Sequence, residues 1–189
     1  TRKVRMDISL RKSIVSSSDL KYFVPSAEKV HESVHLSGKV SGTLTELRGR
    51  EIDISFGELT RIQCDFDISG LPDINNSFIY LGVSRLRTNA ADIGEIEIIG
   101  KEKIVMPELF NTLGTISFDG SFTGFLSDFV AYGNLRSESG TLSTDVSVRP
   151  GEKNNFRLKG LVRGSSISLG RLLENPGMFG NLTMRADID

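Results

Sequence analysis

Apolar and polar residues alternate along most of this chain. Val34, Leu36, Val40 and Leu44 share one parity, Ile52, Ile54 and Phe56 continue the pattern, and Ile62, Cys64, Phe66 and Ile68 form a third run. A period of two puts the apolar members on one face of an extended chain, so each run predicts a strand with one wet side. Further runs follow at Ile79, Leu81 and Val83, at Ile116, Phe118 and Phe122, at Leu142, Val146 and Val148, and at Phe156, Leu158 and Val162. Alternation also reaches both ends, at Met6, Ile8 and Leu10 and from Leu182 to Ile188. Helical signals are brief. They fall at Ser18 to Phe23, Ala90 to Ile96 and Pro107 to Leu113, the last opened by proline and closed by Gly114, and at Leu169, Leu172 and Leu173 ahead of Pro176 and Gly177. The expected fold class is therefore all-β in the main, with a few short helices at the margins.

A glycine refrain is laid over the alternation. GKVSG at Gly38 to Gly42, GSFTG at Gly120 to Gly124 and GLVRG at Gly160 to Gly164 are each followed by a Gly-x-Leu-Ser/Thr signature, at Gly57, Gly140 and Gly180. The interval from first glycine to signature is 19, 20 and 20 residues. Recurring units that cannot bury their own apolar face must stack on their neighbours. One continuous domain of repeat-like units is expected, at about 34–70, 116–149 and 156–189. The third is looser, with SSISLGRLLENPG in place of a strand. Glycine inside a strand marks a bulge, a bend or a close backbone approach. A sheet with one apolar face either seals it against a second layer or leaves it as an open trough, and the alternation itself is compatible with both.

Composition narrows the partners. With 38% hydrophobic and 25% charged residues in 189, disorder is not expected. The net charge of -1 supplies no global field for nucleic acid, and no apolar run is long enough for a membrane helix. Cys64, the single cysteine, sits within an alternating run as a small hydrophobe and excludes an internal disulfide framework. Strand patterns running into both termini, and an opening Thr, suggest a segment of a longer protein.

His31-Glu32-Ser33-Val34-His35 matches H-E-x-x-H, which on a helix pairs two imidazoles for zinc. Here it runs into a strand. Four extended residues cover roughly 13 Å, whereas both nitrogens would have to approach one ion to about 2 Å. Both histidines are instead expected on the polar face. No phosphate loop is present, and no nucleophile, base and orienter converge. Asp92, Glu95 and Glu97 read as solvated surface, and Asn181-Leu182-Thr183 as a chance sequon. No enzyme activity, cofactor or metal is expected.

The stretch from VHLSGKVSGTLTELRGREIDISFGELTRIQCDFDISGLPDI through SFIYLGVSRLRTNAADI to PELFNTLGTISFDGSFTGFLSDFVAYGNLRSESGTLSTDVSVRP, with the closing GSSISLGRLLENPGMFGNLTMRADID, resembles the TamB (translocation and assembly module) branch of the AsmA-like proteins in its Bacteroidetes form. The resemblance covers the chain from about Ser18 onward, on repetitive motifs that name no active residue. It implies an elongated, curved, antiparallel-rich repeat sheet of β-taco or groove form. It also implies a periplasmic segment of an inner-membrane-anchored protein linked to lipid transport, outer-membrane biogenesis and protein secretion. Phospholipid acyl chains are the implied partners, and outer-membrane β-barrel proteins a second class.

A conduit agrees with the physics of the pattern. Burying one methylene is worth about 0.8 kcal/mol, so an acyl chain of roughly 15 methylenes crossing water would meet a barrier on the order of 12 kcal/mol. An unbroken apolar strip removes most of it. The candidates for its lining are Val40, Leu44, Ile54, Phe66, Phe118, Phe122, Val146, Leu158, Val162 and Met184. The alternative function is a chaperone-like scaffold that offers exposed strand edges to outer-membrane proteins.

Overall fold

The computed structural model describes residues 4–15, 33–94, 109–151, 156–172 and 177–189. The expected helix at Ser18 to Phe23, and His31 with Glu32, lie outside them. Ten strands form one antiparallel sheet whose spatial order is the chain order: β1 (Arg5–Val15), β2 (Val34–Thr43), β3 (Glu46–Phe56), β4 (Thr60–Ser69), β5 (Phe78–Thr88), β6 (Ile116–Phe125), β7 (Asp128–Ser137), β8 (Gly140–Pro150), β9 (Phe156–Ser168) and β10 (Asn181–Ile188). Each strand packs along its length only on its sequence neighbours, so the all-β expectation is met by an open sheet rather than a sandwich or barrel. At about 4.8 Å per strand the sheet is about 43 Å across.

Three short helices stand at one rim, formed by the ends of the strands: α1 (Ala90–Gly94), α2 (Leu109–Thr112) and α3 (Leu169–Leu172). They touch in series, α1 to α2 and α2 to α3, and α3 also meets β10. The opposite rim holds the tight turns at 44–45 and 126–127 and the β4–β5 loop with its short 3-10 turn Ile74–Asn76. The connections follow a four-strand rhythm, because a helix-bearing insert follows both β5 and β9. Gly38 and Gly42 on β2 recur 82 residues later as Gly120 and Gly124 on β6.

The helical rim is fastened by acids. Buried Asp92 on α1 accepts hydrogen bonds from the N–H groups of Thr60 at 2.7 Å and Leu59 at 3.0 Å, and from the Thr60 hydroxyl at 2.7 Å. The two N–H groups lie where the β3–β4 turn enters β4, and Asp92 supplies their acceptor. In the second unit Glu138, in the β7–β8 turn, takes 2.7 Å contact from Arg171 on α3, while the Ser139 hydroxyl donates to the Thr112 carbonyl at 2.8 Å.

β7 has no counterpart among the strands read from the sequence. Phe129, Ala131 and Leu135 alternate correctly, but Val130 and Tyr132 occupy the intervening positions and turn the alternation into one apolar run. Its two cross-strand ladders, rather than its own pattern, decide its register.

Candidate functional site

Directly opposed residues in an antiparallel ladder project to the same side, so the strand registers trace which side chains share a face. One transverse row crosses all ten strands: Ile8, Val40, Gly49, Phe66, Leu81, Phe122, Ala131, Val146, Gly160 and Ile188. None of its members carries a polar side chain. Toward the tight-turn rim a second row runs from Met6 through Gly42, Leu47, Ile68, Ile79, Gly124, Phe129 and Val148 to Leu158. Toward the helical rim, Leu36, Ile54, Ile62, Leu86, Phe118, Leu135, Leu142, Gly164 and Met184 form a third. Between the first and third lie Ile52, Cys64, Val83, Gly120, Gly133, Thr144, Val162 and Ala186.

Simple alternation could not have kept these rows together. In β3 the apolar residues change from odd positions, Leu47 and Gly49, to even ones, Ile52 and Ile54; in β5 they change from Val83 to Leu86. The ladder slips at those places, between Gly49 and Ile52 and between Val83 and Leu86, and β1 slips between Leu10 and Ser13. A bulge absorbs one extra residue and returns the following side chains to the original face. Glu51, with φ of 55°, is the extra residue in β3; its N–H donates to Asp65 at 2.7 Å and its carboxylate takes Lys39 at 2.9 Å.

None of the described residues forms a second layer over the apolar face. Among the described residues the buried apolar side chains are Ile52 and Ile116, while Ile8, Leu158 and Met184 remain 43%, 40% and 37% exposed. The accessible surface of 12938 Å² compares with about 9000 Å² for a compact chain of this mass. Cover within the face is lateral. The rings of Phe122 and Phe129 pack at 4.8 Å between centroids, and the Phe66 ring lies over Gly49, where an added Cβ would fall 2.2 Å from it. Burial pushes the Cys64 thiol above its ordinary range, with a smaller contribution from Asp65.

Nine of the ten residues singled out as lining fall on this face: Val40, Ile54, Phe66, Phe118, Phe122, Val146, Leu158, Val162 and Met184. Leu44 does not. β2 ends at Thr43 and Leu44 occupies the following two-residue turn, 71% exposed, where strand parity no longer applies. Sequence reading also passed over Leu47, Leu86, Phe129 and Leu135. For Leu47 and Leu86 the signal is a one-residue change of parity within a strand, paired across the ladder with an unbroken neighbour; Phe129 and Leu135 keep one parity along β7 and are masked by the apolar residues between them.

The other face is mainly polar and ion-paired, with Tyr80, Val130 and Tyr132 exposed among its charged residues. Arg50 contacts Asp67 at 2.7 Å, Arg61 meets Asp53 at 2.9 Å, and Arg136 meets Asp119 at 2.9 Å. Arg61 and Gln63 hold the Asp53 carboxyl below the usual carboxylate range, as Asn134 and Arg136 do for Asp119. His35 is on this side, opposite Ser55. Exposed pairs of this kind contribute little stability singly, and they mark the side that stays in water. Comparison with family models, with curated proteins and with solved structures returned no match.

Proposed function

We propose that this chain is one stretch of a lipid conduit in a bridge-like protein of the TamB/AsmA-like kind, its apolar face carrying phospholipid acyl chains between the inner and outer membranes. The observation that carries the reading is the ten-strand row from Ile8 to Ile188, apolar or glycine throughout, on a face that no second layer among the described residues covers. The row runs across the strands. An acyl chain moving along it keeps apolar neighbours at every strand, and offsetting about 0.8 kcal/mol per methylene needs no particular side chain. Periplasmic residence and a membrane anchor elsewhere in the protein belong to the same proposal.

The second reading, a scaffold for outer-membrane proteins, draws on the outer edges of β1 and β10, which have no partner strand among the described residues. A photo-crosslinking residue separates the two when placed at Val146 and, as a control, at its neighbour Ser147 on the opposite face, in cells that carry the whole protein. Phospholipid adducts at Val146 and not at Ser147 are expected. Adducts confined to unfolded outer-membrane proteins, or equal lipid labelling at both positions, would overturn the conduit.

A further inference from the structure

On the polar face, one transverse row brings basic side chains together. Arg61 on β4 opposes Arg87 on β5, Arg87 opposes Ser117 on β6, and Ser117 opposes Arg136 on β7. Like charges directly opposed across a ladder destabilise it. Two members of the row are already neutralised, Arg61 by Asp53 and Arg136 by Asp119, each at 2.9 Å. Arg87 has no ion pair among the described residues, and neither has Arg85, two positions along β5 on the same face.

These residues surround a depression. Arg85, Arg87, Arg136, Ser84, Ser117 and Thr115, with Asp119, line an open cleft of about 440 Å³ beside the helical rim. Three guanidinium groups in the cleft, those of Arg85, Arg87 and Arg136, against Asp119 leave a local excess of two positive charges in a chain whose net charge is -1. Neighbouring strands stand about 4.8 Å apart, so Arg87 and Arg136 flank Ser117 at about 10 Å between backbones. Long side chains at that separation can close on one tetrahedral oxyanion, with the serine hydroxyl donating from below. Arginine suits this task because its planar fork offers paired N–H donors to phosphate oxygens.

We infer that the cleft of Arg85, Arg87, Ser117 and Arg136 is a binding site for a phosphate group, either of a soluble phosphate or of a phosphomonoester headgroup presented at a membrane surface. The site lies on the opposite face from the apolar rows, so it stands or falls independently of the conduit.

The test is a titration of the chain with inorganic phosphate at constant ionic strength, following the arginine Nε–Hε signals by NMR, with wild type, Arg87→Gln and Arg157→Gln compared. Arg157 also faces another arginine, Arg149, across its ladder but is not part of this cleft. The expected result is a saturable shift centred on Arg87 and Arg136. It weakens by about tenfold or more in Arg87→Gln, the loss of one strong charge-assisted contact, and is retained in Arg157→Gln. Phosphate should also raise the Tm of the wild type and not of Arg87→Gln. Co-flotation with phosphatidylcholine vesicles containing phosphatidic acid, lost in Arg87→Gln, assigns the headgroup as the source; saturable phosphate binding without co-flotation assigns a soluble phosphate. Saturation with neither probe, or equal weakening in both variants, overturns the site.

Discussion

Replacing Gly124 by alanine tests whether the glycine refrain sets strand registry or merely thins the side chains on the apolar face. Gly124 has φ of 138°, a conformation closed to residues with a Cβ, and an added Cβ would stand 2.3 Å from the Asp128 carbonyl oxygen on β7. The backbone strain is worth about 1–3 kcal/mol. Relieving the clash requires moving β6 against β7, for about 1–3 kcal/mol more. The lower entropy of the unfolded alanine chain returns about 0.4–1 kcal/mol. A net loss of about 3 kcal/mol, within about 1–5.5 kcal/mol, is therefore expected, and urea unfolding followed by far-UV circular dichroism measures it. Gly49 provides a contrast, since what its Cβ would strike is the Phe66 ring rather than backbone. On an uncovered face that ring can lift, so Gly49→Ala should cost only about 1 kcal/mol, and Phe66→Leu in the same chain should recover most of it. Gly177 has open space around it, and its alanine variant should fall within about 0.5 kcal/mol of wild type. A loss below about 1 kcal/mol at Gly124, or no recovery by Phe66→Leu, would refute the reasoning.

Two further outcomes follow from the rim and from the face. Asp92→Ala leaves the Leu59 and Thr60 N–H groups without their acceptor, while the Thr60 hydroxyl keeps Thr88 as a partner at 2.8 Å, and should cost about 2–3 kcal/mol by the same unfolding assay. Although burial opposes its ionisation, hydrogen bonds from Thr60, Leu59 and Glu58 outweigh that and hold the Asp92 carboxyl below its usual range. Its contribution is thus complete above the unfolded carboxyl pKa of about 3.9 and disappears as pH falls through the lower folded value, so the wild-type advantage over Asp92→Ala should vanish in acid. Because the Cys64 thiol is raised by burial, alkylation by iodoacetamide should reach its half-maximal rate above the ordinary thiol range. Phospholipid micelles should slow that alkylation if acyl chains lie over the row containing Cys64.

The ion pairs of the polar face and the lateral packing of the apolar face act on different properties. Exposed pairs such as Arg61 with Asp53 contribute little to stability and keep one side wet. The half-buried rows hold adjacent strands together while the described residues leave their outer surface uncovered, which the proposed conduit requires and a sealed core does not.

Alternation alone determined the class of this protein. A strict period of two in short runs has no stable reading other than strands, and the glycine spacing made stacking the economical arrangement. It also placed nine of the ten lining candidates, because parity is decided locally by tetrahedral backbone geometry. Tertiary structure decided the rest. Leu44 left the face because a turn, not a strand, follows Thr43. β7 became a strand because β6 and β8 supplied both of its ladders. Leu47 and Leu86 joined the apolar rows through bulges at Glu51 and beside Arg85, which alternation read along one strand records only as a break. Whether the face is covered was likewise absent from the pattern: a strand that turns its apolar side to a second layer and one that turns it to an empty trough carry the same alternation, and they differ only in the cover, of which the described residues supply none.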